Sequence, residues 1–200
     1  MGEAETGAGG ESQANASGEA IDGALFKATA FLDLNADGVK DANEPSATTN
    51  ATGFYSFSSS ADNINNSSVV VIVEAGVTID QDEPGETIDE AFTMMAPPGD
   101  HSVVSPLTTE IVARIKDGLS KADAVSAIKS DYGLSDEIDI TKNYVKEKNN
   151  NSAYQEIHNI AASVADVLKV IEKNSSGKTL DEKLADAKDK VRVFVKENVD

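Results

Sequence analysis

Asp33, Asn35, Asp37, Asp41 and Glu44 place five oxygen-bearing side chains on one short stretch of chain, Asp33–Glu44. Calcium takes six to eight oxygen ligands at about 2.3–2.6 Å, and a loop can supply them from positions 1, 3, 5, 7, 9 and 12. Asp33, Asn35 and Asp37 stand at the first three of these. Gly38 at position 6 permits the sharp turn, and Val39 at position 7 offers its backbone carbonyl. Asp41 at position 9 can ligate directly or through water. Glu44 at position 12 can close the sphere with both oxygens. The four carboxylates repel one another without a cation, so an ion is expected to order the loop. Turn chemistry alone also favours Asp, Asn and Gly, but it gives no reason for Glu44. The expected ion is Ca2+.

A second acidic group, Asp80, Asp82 and Glu86, lies around Pro84-Gly85 together with Glu83. It is a candidate second cation cluster, although a solvated acidic loop has the same composition. Asp89 and Glu90 extend it, with spacing that fits no known metal loop. The two histidines, His101 and His158, have no obvious nucleophile beside them. Nucleophilic catalysis needs an oriented base next to an attacking group, and nothing marks Ser102 or Ser105 as activated. Gly-x-Ser-x-Gly, a phosphate-cradling glycine loop and a His-Glu-x-x-His helix are all missing from the sequence. Tyr132, Tyr144 and Tyr154 are expected to pack in the core or at an interface. The expectation is therefore a non-enzymatic chain.

The charge balance narrows the partners. Lys and Arg total 17 and Asp and Glu 35, giving 17 − 35 = −18. Nucleic acid and anionic membranes need a basic footprint, so neither is an expected partner. Divalent cations suit such a surface. Cys is absent, which excludes disulfides and thiolate metal sites. Scarce aromatics and the lack of Trp count against a broad sugar-stacking face. No apolar run is long enough to span a bilayer; the longest, Val69–Val73, has the length of a strand. The opening Met-Gly-Glu and its small polar tract read as a chain that starts after an export signal.

These residues need elements to hold them. Residues 1–20 are small, polar and acidic, and read as a flexible linker. Residues 21–100 carry strand signals: rough alternation over Ala24–Leu32, a turn at Asn50–Gly53 before Gly53–Phe57, the β-branched run Val69–Val73, and Glu90–Met95. Residues 101–200 read as helical. Ser105 and Pro106 suit a helix start, with Leu107, Ile111, Ile115 and Leu119 on one face. Ser120 caps a second helix that runs to about Tyr132. Ile140–Glu147 is a weaker segment. Ser152–Lys173 has strong three/four spacing, and Thr179–Val199 carries Leu180, Leu184, Ala187, Val191 and Phe194 on one face. The fold class expected is α+β, a small calcium-binding β-sandwich followed by a helical bundle region. The calcium loop would then lie between strands. An EF-hand loop lies between helices, so a structural role is expected here rather than a sensor.

The stretch FLDLNADGVKDANEPSATTNATGFYSF resembles the calcium-binding B-type repeats of bacterial surface adhesins. EAFTMMAPPGDHSVVSPLTTEIVARI resembles exported lipoproteins and large adhesins of marine Gram-negative bacteria, in which such a sandwich runs through a Ser-Pro-Leu-Thr-Thr segment into helices. The resemblance implies an extracellular or outer-membrane-anchored protein, with the ion at Asp33, Asn35, Asp37, Asp41 and Glu44 and a structural hinge at Ser105–Thr109. It implies no catalytic residues. The expected role is a cell-surface module that binds a glycan, peptide or protein ligand. The alternatives are a calcium-stiffened spacer and an exported hydrolase using paired carboxylates.

Overall fold

The computed structural model describes residues 12–198, a mixed α+β fold. In chain order it contains β1 (Gln13–Ala20), β2 (Leu25–Phe26), β3 (Thr29–Asp33), β4 (Ser46–Thr48), β5 (Phe54–Ser60), α1 (Ala61–Asn66), β6 (Ser68–Val73), β7 (Ile79–Asp80), β8 (Phe92–Ala96) and β9 (Val103–Val104). The helices α2 (Pro106–Lys116), α3 (Lys121–Asp131), α4 (Ser152–Asn174) and α5 (Leu180–Asn198) follow. The strands form three small sheets, ordered β5-β1-β9, β2-β7 and β4-β3-β6-β8.

The first strand corrects the expected linker. Gln13–Ala20 pairs antiparallel with β5, from Gln13 opposite Ser60 to Glu19 opposite Phe54, and parallel with β9. Its small residues have a packing use. Ala16 and Ala20 are buried, and a Cβ at Gly18 would lie 1.9 Å from the His101 carbonyl oxygen. A composition poor in large side chains reads as disorder only until a partner strand is known. Residues 1–11 of the expected linker lie outside the described residues.

The expected strand Ala24–Leu32 divides at Lys27, which has φ 65°. The Thr49 hydroxyl holds the kink: it donates to the Leu25 carbonyl at 2.6 Å and accepts from Ala28 N–H at 2.9 Å. The break leaves Leu25 in one short strand, β2, and Phe31 in another, β3.

Strands β3, β6 and β8 of the four-stranded sheet contribute buried side chains to both faces. Ala30, Leu32, Val69, Val71, Val73, Phe92 and Met94 join the larger core cluster, with Tyr55 and Phe57 of the first sheet. Phe31, Val70 and Met95 point into a second cluster with Val112 and Ala113 of α2 and Leu180 and Leu184 of α5. A strand covered on both sides must be apolar throughout, which accounts for the run Val69–Val73.

Ser105–Thr109 is a buried clamp where a hinge was expected. Ser105 and Thr108 form a reciprocal cap at the start of α2. The Thr108 hydroxyl donates to the Met95 carbonyl at 2.7 Å, and the Thr109 hydroxyl accepts from Met95 N–H at 2.9 Å. Both side chains thereby tie α2 to β8. Next along α2, Arg114 donates to Glu110 and, at 2.9 Å, to Asp131, while the Tyr132 hydroxyl donates to Glu110 at 2.6 Å. This network joins α2 to α3.

In α4 the expected face is the buried one, from Ile157 through Ile171. The weak segment Ile140–Glu147 forms only a short 3-10 turn, Tyr144–Lys146. α2 ends before Leu119, which is exposed. No described helix is long and apolar enough to cross a membrane.

Candidate functional site

The loop Asp33–Glu44 leaves β3 and returns through β4, so strands flank it on both sides. Phe31 pairs with Ser46, and Leu32 N–H donates to the Pro45 carbonyl at 2.9 Å, closing the base. Asp33 and Glu44, the first and last positions, are buried at 2% and 4% exposure, whereas Asn35, Asp37 and Asp41 are exposed.

Backbone amides point inward around the loop. Asp33 Oδ2 accepts from Gly38 N–H at 3.0 Å. Glu44 accepts from Leu34 N–H at 2.8 Å and from Asp41 N–H at 2.9 Å. The Asn35 amide nitrogen donates to Asp37 at 2.9 Å and to Asp41 at 3.1 Å. The turn needs left-handed backbone at Ala36, φ 61°, and Gly38, φ 74°. At Gly38 space is short as well, since a Cβ would lie 2.9 Å from the Leu180 side chain of α5.

Asp33 Oδ1 is buried with no hydrogen-bond partner. Burial pushes the Asp33 carboxyl above the usual range, partly offset by the Gly38 N–H, and the charges of Glu44 and Asp37 push it further up. A buried carboxylate oxygen without a partner is costly unless a cation meets it. The donor set is all oxygen, as a hard cation requires. These residues fit calcium in type. Among the described residues, no three His, Asp or Glu side chains stand together as a ready metal-holding group, and the Asn35 amide occupies the space between the exposed carboxylates.

The second acidic group lines a separate cleft of about 520 Å³ between the loop 80–90 and α4. Asp80, Asp82 and Glu86 are all in its wall, with Glu83, Asp89 and Glu90. Asp80 is seated against backbone: it accepts from Gly23 N–H at 3.1 Å and from Asp82 N–H at 2.9 Å. Gly23 makes this approach possible, because a Cβ there would lie 1.8 Å from Asp80 Oδ1. Asp82 pairs with Lys148 and lies 3.3 Å from His158 Nε2. Burial and then the neighbouring Lys148 hold the His158 imidazole below its ordinary range.

Sequence reasoning missed Asp22. It is 7% exposed, lines the same cleft, and its Oδ1 has no hydrogen-bond partner. Burial, reinforced by Asp80, pushes its carboxyl up to about 7. Asp80 lies far along the chain from Asp22, so no spacing rule could link them. The one local signal was an acid beside a glycine within an otherwise apolar strand region.

The remaining candidates are each engaged with neighbouring groups of the fold. His101 is buried, with Nε2 at 2.9 Å from the Ser67 carbonyl, and Ser102 donates to Asp100 at 3.3 Å. Ser105 serves as the α2 cap. Tyr144 is buried with its ring 6.1 Å from His158, Tyr154 is partly buried against the core, and Tyr132 belongs to the Glu110 network. Comparison with protein-family models, curated proteins and solved structures finds no match to this chain.

Proposed function

We propose that the chain is a non-catalytic, calcium-binding module of an exported cell-surface protein, acting in adhesion or ligand binding. In this reading the β part behaves as a small sandwich that Ca2+ staples at Asp33–Glu44. The observation that carries it is the unpartnered, buried Asp33 Oδ1 at the first position of a complete oxygen-donor loop. Asp33, Asn35, Asp37, Asp41 and Glu44 would hold the ion with their side chains and Val39 with its carbonyl. The Asn35 side chain already spans the exposed carboxylates with its amide nitrogen. Rotating that amide by half a turn exchanges donor for acceptor. The adhesive role and the location outside the cell rest on the adhesin resemblance and on the acidic balance.

The test is thermal melting with and without calcium. Extracellular calcium modules bind at roughly 10⁻⁴–10⁻³ M, so 10 mM calcium should add about 1.4–2.7 kcal/mol. For a chain of this size that is a melting shift of about 3–10 °C. The shift should vanish in Asp33→Ala and in Glu44→Ala. Unchanged melting together with no calorimetric heat sinks the calcium reading. A glycan and peptide array, screened with and without calcium, tests ligand binding; no ligand on either array favours the calcium-stiffened spacer. Glycoside turnover lost in Asp22→Asn would replace both with the hydrolase reading.

A further inference from the structure

The cleft beside α4 is built unlike the calcium loop. Eight carboxylates line it, against one lysine and one histidine. Its depth is graded: Asp22 is buried, Asp80 is half-buried, and Asp82, Glu83, Glu86, Asp89, Glu90 and Asp166 are exposed. Several of these groups have partners. Asp80 is held by two backbone N–H groups, and Asp82 by Lys148. Asp22 Oδ1 alone among these carboxylate oxygens is both buried and unpartnered.

We propose that this cleft binds a small aliphatic di- or polyamine, with one primary ammonium on Asp22 and Asp80 and a second on the exposed carboxylates of the 80–90 loop. Three observations choose this class. A cleft of about 520 Å³ has the size of a small-molecule site, which is typically ~300–1,000 Å³, and is far larger than one ion needs. No Phe, Tyr or Trp is among the described residues lining it. Quaternary ammonium ligands are recognised by aromatic cages, so the fitting cation is one that donates hydrogen bonds. Lys148 shows the wall holding such a group: its own ammonium sits on Asp82 and lies 3.1 Å from His158 Nε2. Asp22 lacks an equivalent donor. The site is independent of the calcium loop, since no residue is shared.

The experiment is isothermal titration of the full chain with putrescine and spermidine at low ionic strength, with tetramethylammonium and calcium chloride as comparison ligands. Expected is saturable binding of both amines, weakened at least tenfold by Asp22→Asn and by Ala162→Phe, which fills the cleft from α4. Asp37→Ala, in the calcium loop, should leave amine affinity unchanged. Circular dichroism and melting confirm that each variant is folded, and the two cleft variants act by different routes, so failure of one still leaves a test. The proposal is overturned by absence of heat with either amine, by affinity unchanged in both cleft variants, by tetramethylammonium binding as tightly as putrescine, or by calcium alone binding in an Asp22-dependent way. Loss of amine binding with calcium stabilisation intact would overturn this proposal and spare the calcium reading; the reverse pattern would do the opposite.

Discussion

Asp22 and Gly38 show how much single positions carry here. Asp22 titrates near 7 in the folded chain against an ordinary 3.8, because burial disfavours its charge and Asp80 adds repulsion. The native state therefore holds a proton that the unfolded chain has released between these values. Stability from this group is fully present below about pH 4, declines as pH rises towards 7, and is flat above. A shift of about three units corresponds to roughly 4 kcal/mol. Asp80, Asp82, Asp166 and Lys169 also face this carboxyl, so the difference between wild type and Asp22→Asn isolates it. Urea unfolding in amine-free buffer should find Asp22→Asn more stable than wild type at pH 8 and nearly equal at pH 4. Equal stability at both pH values would contradict the assigned burial. Gly38 answers to backbone and space together. Its φ of 74° is costly for any side chain, and Leu180 stands where a Cβ would go. Gly38→Ala is expected to lose about 1–3 kcal/mol, measured by the same unfolding curves without calcium.

At the scale of elements, joints between helices and strands carry the chemistry. Glu110 is 4% exposed and Arg114 8%, and burial pushes the Glu110 carboxyl up while Tyr132 and Arg114 pull it down. Removing the guanidinium strands a buried carboxylate. Arg114→Ala should therefore cost about 3–5 kcal/mol, whereas Lys142→Ala, at an exposed pair with Asp139, should change stability by under about 1 kcal/mol. Chemical denaturation of the two variants side by side checks the contrast. A second joint links the Asp33–Glu44 loop to α5, whose Leu180 packs over Gly38 and into the cluster with Phe31 and Met95. Ordering the loop should order the start of α5. Hydrogen exchange should then show calcium slowing amides in the first turns of α5 and leaving α3 unchanged. Elements defined by local pattern were legible in the sequence: α4 from its three/four spacing, α2 from Ser105-Pro106, and the turn between β3 and β4 from its Asp, Asn and Gly residues. Elements defined by distant partners were not. β1 is recognisable only through β5 and β9, the break at Lys27 only through Thr49, and α1 is too short to show a period. Asp22 was invisible for the same reason, since the 80–90 loop gives it its meaning.

For the molecule as a whole, the distribution of apolar side chains decides how it unfolds. The core cluster that contains Ala16, Leu32 and Val71 also contains Leu107, Ile111, Ile157 and Leu168. It crosses residue 100, where sequence composition changes from strand-like to helical, without a break. The other face of the four-stranded sheet packs on α2 and α5, through Val112, Ala113, Leu180 and Leu184. β1 pairs with β9, which lies beyond residue 100, so even the sheet hydrogen bonding spans the divide. A fragment ending at residue 100 would expose Phe31, Val70 and Met95, lose the β9 pairing, and forfeit the Thr108 and Thr109 clamps on Met95. At about 1.5–3 kcal/mol for each large apolar side chain returned to water, that loss of about 5–9 kcal/mol from three residues equals a typical whole-domain stability of roughly 5–15 kcal/mol. The fragment 12–100 should therefore fail to fold, giving narrow amide proton dispersion and no cooperative melt. The whole chain should melt in a single calorimetric transition whose van't Hoff and calorimetric enthalpies agree, and calcium should move that transition upward without splitting it. Two separable transitions, with only one of them moved by calcium, would instead mean that the strands and the helices are stable on their own and meet only at a docking surface.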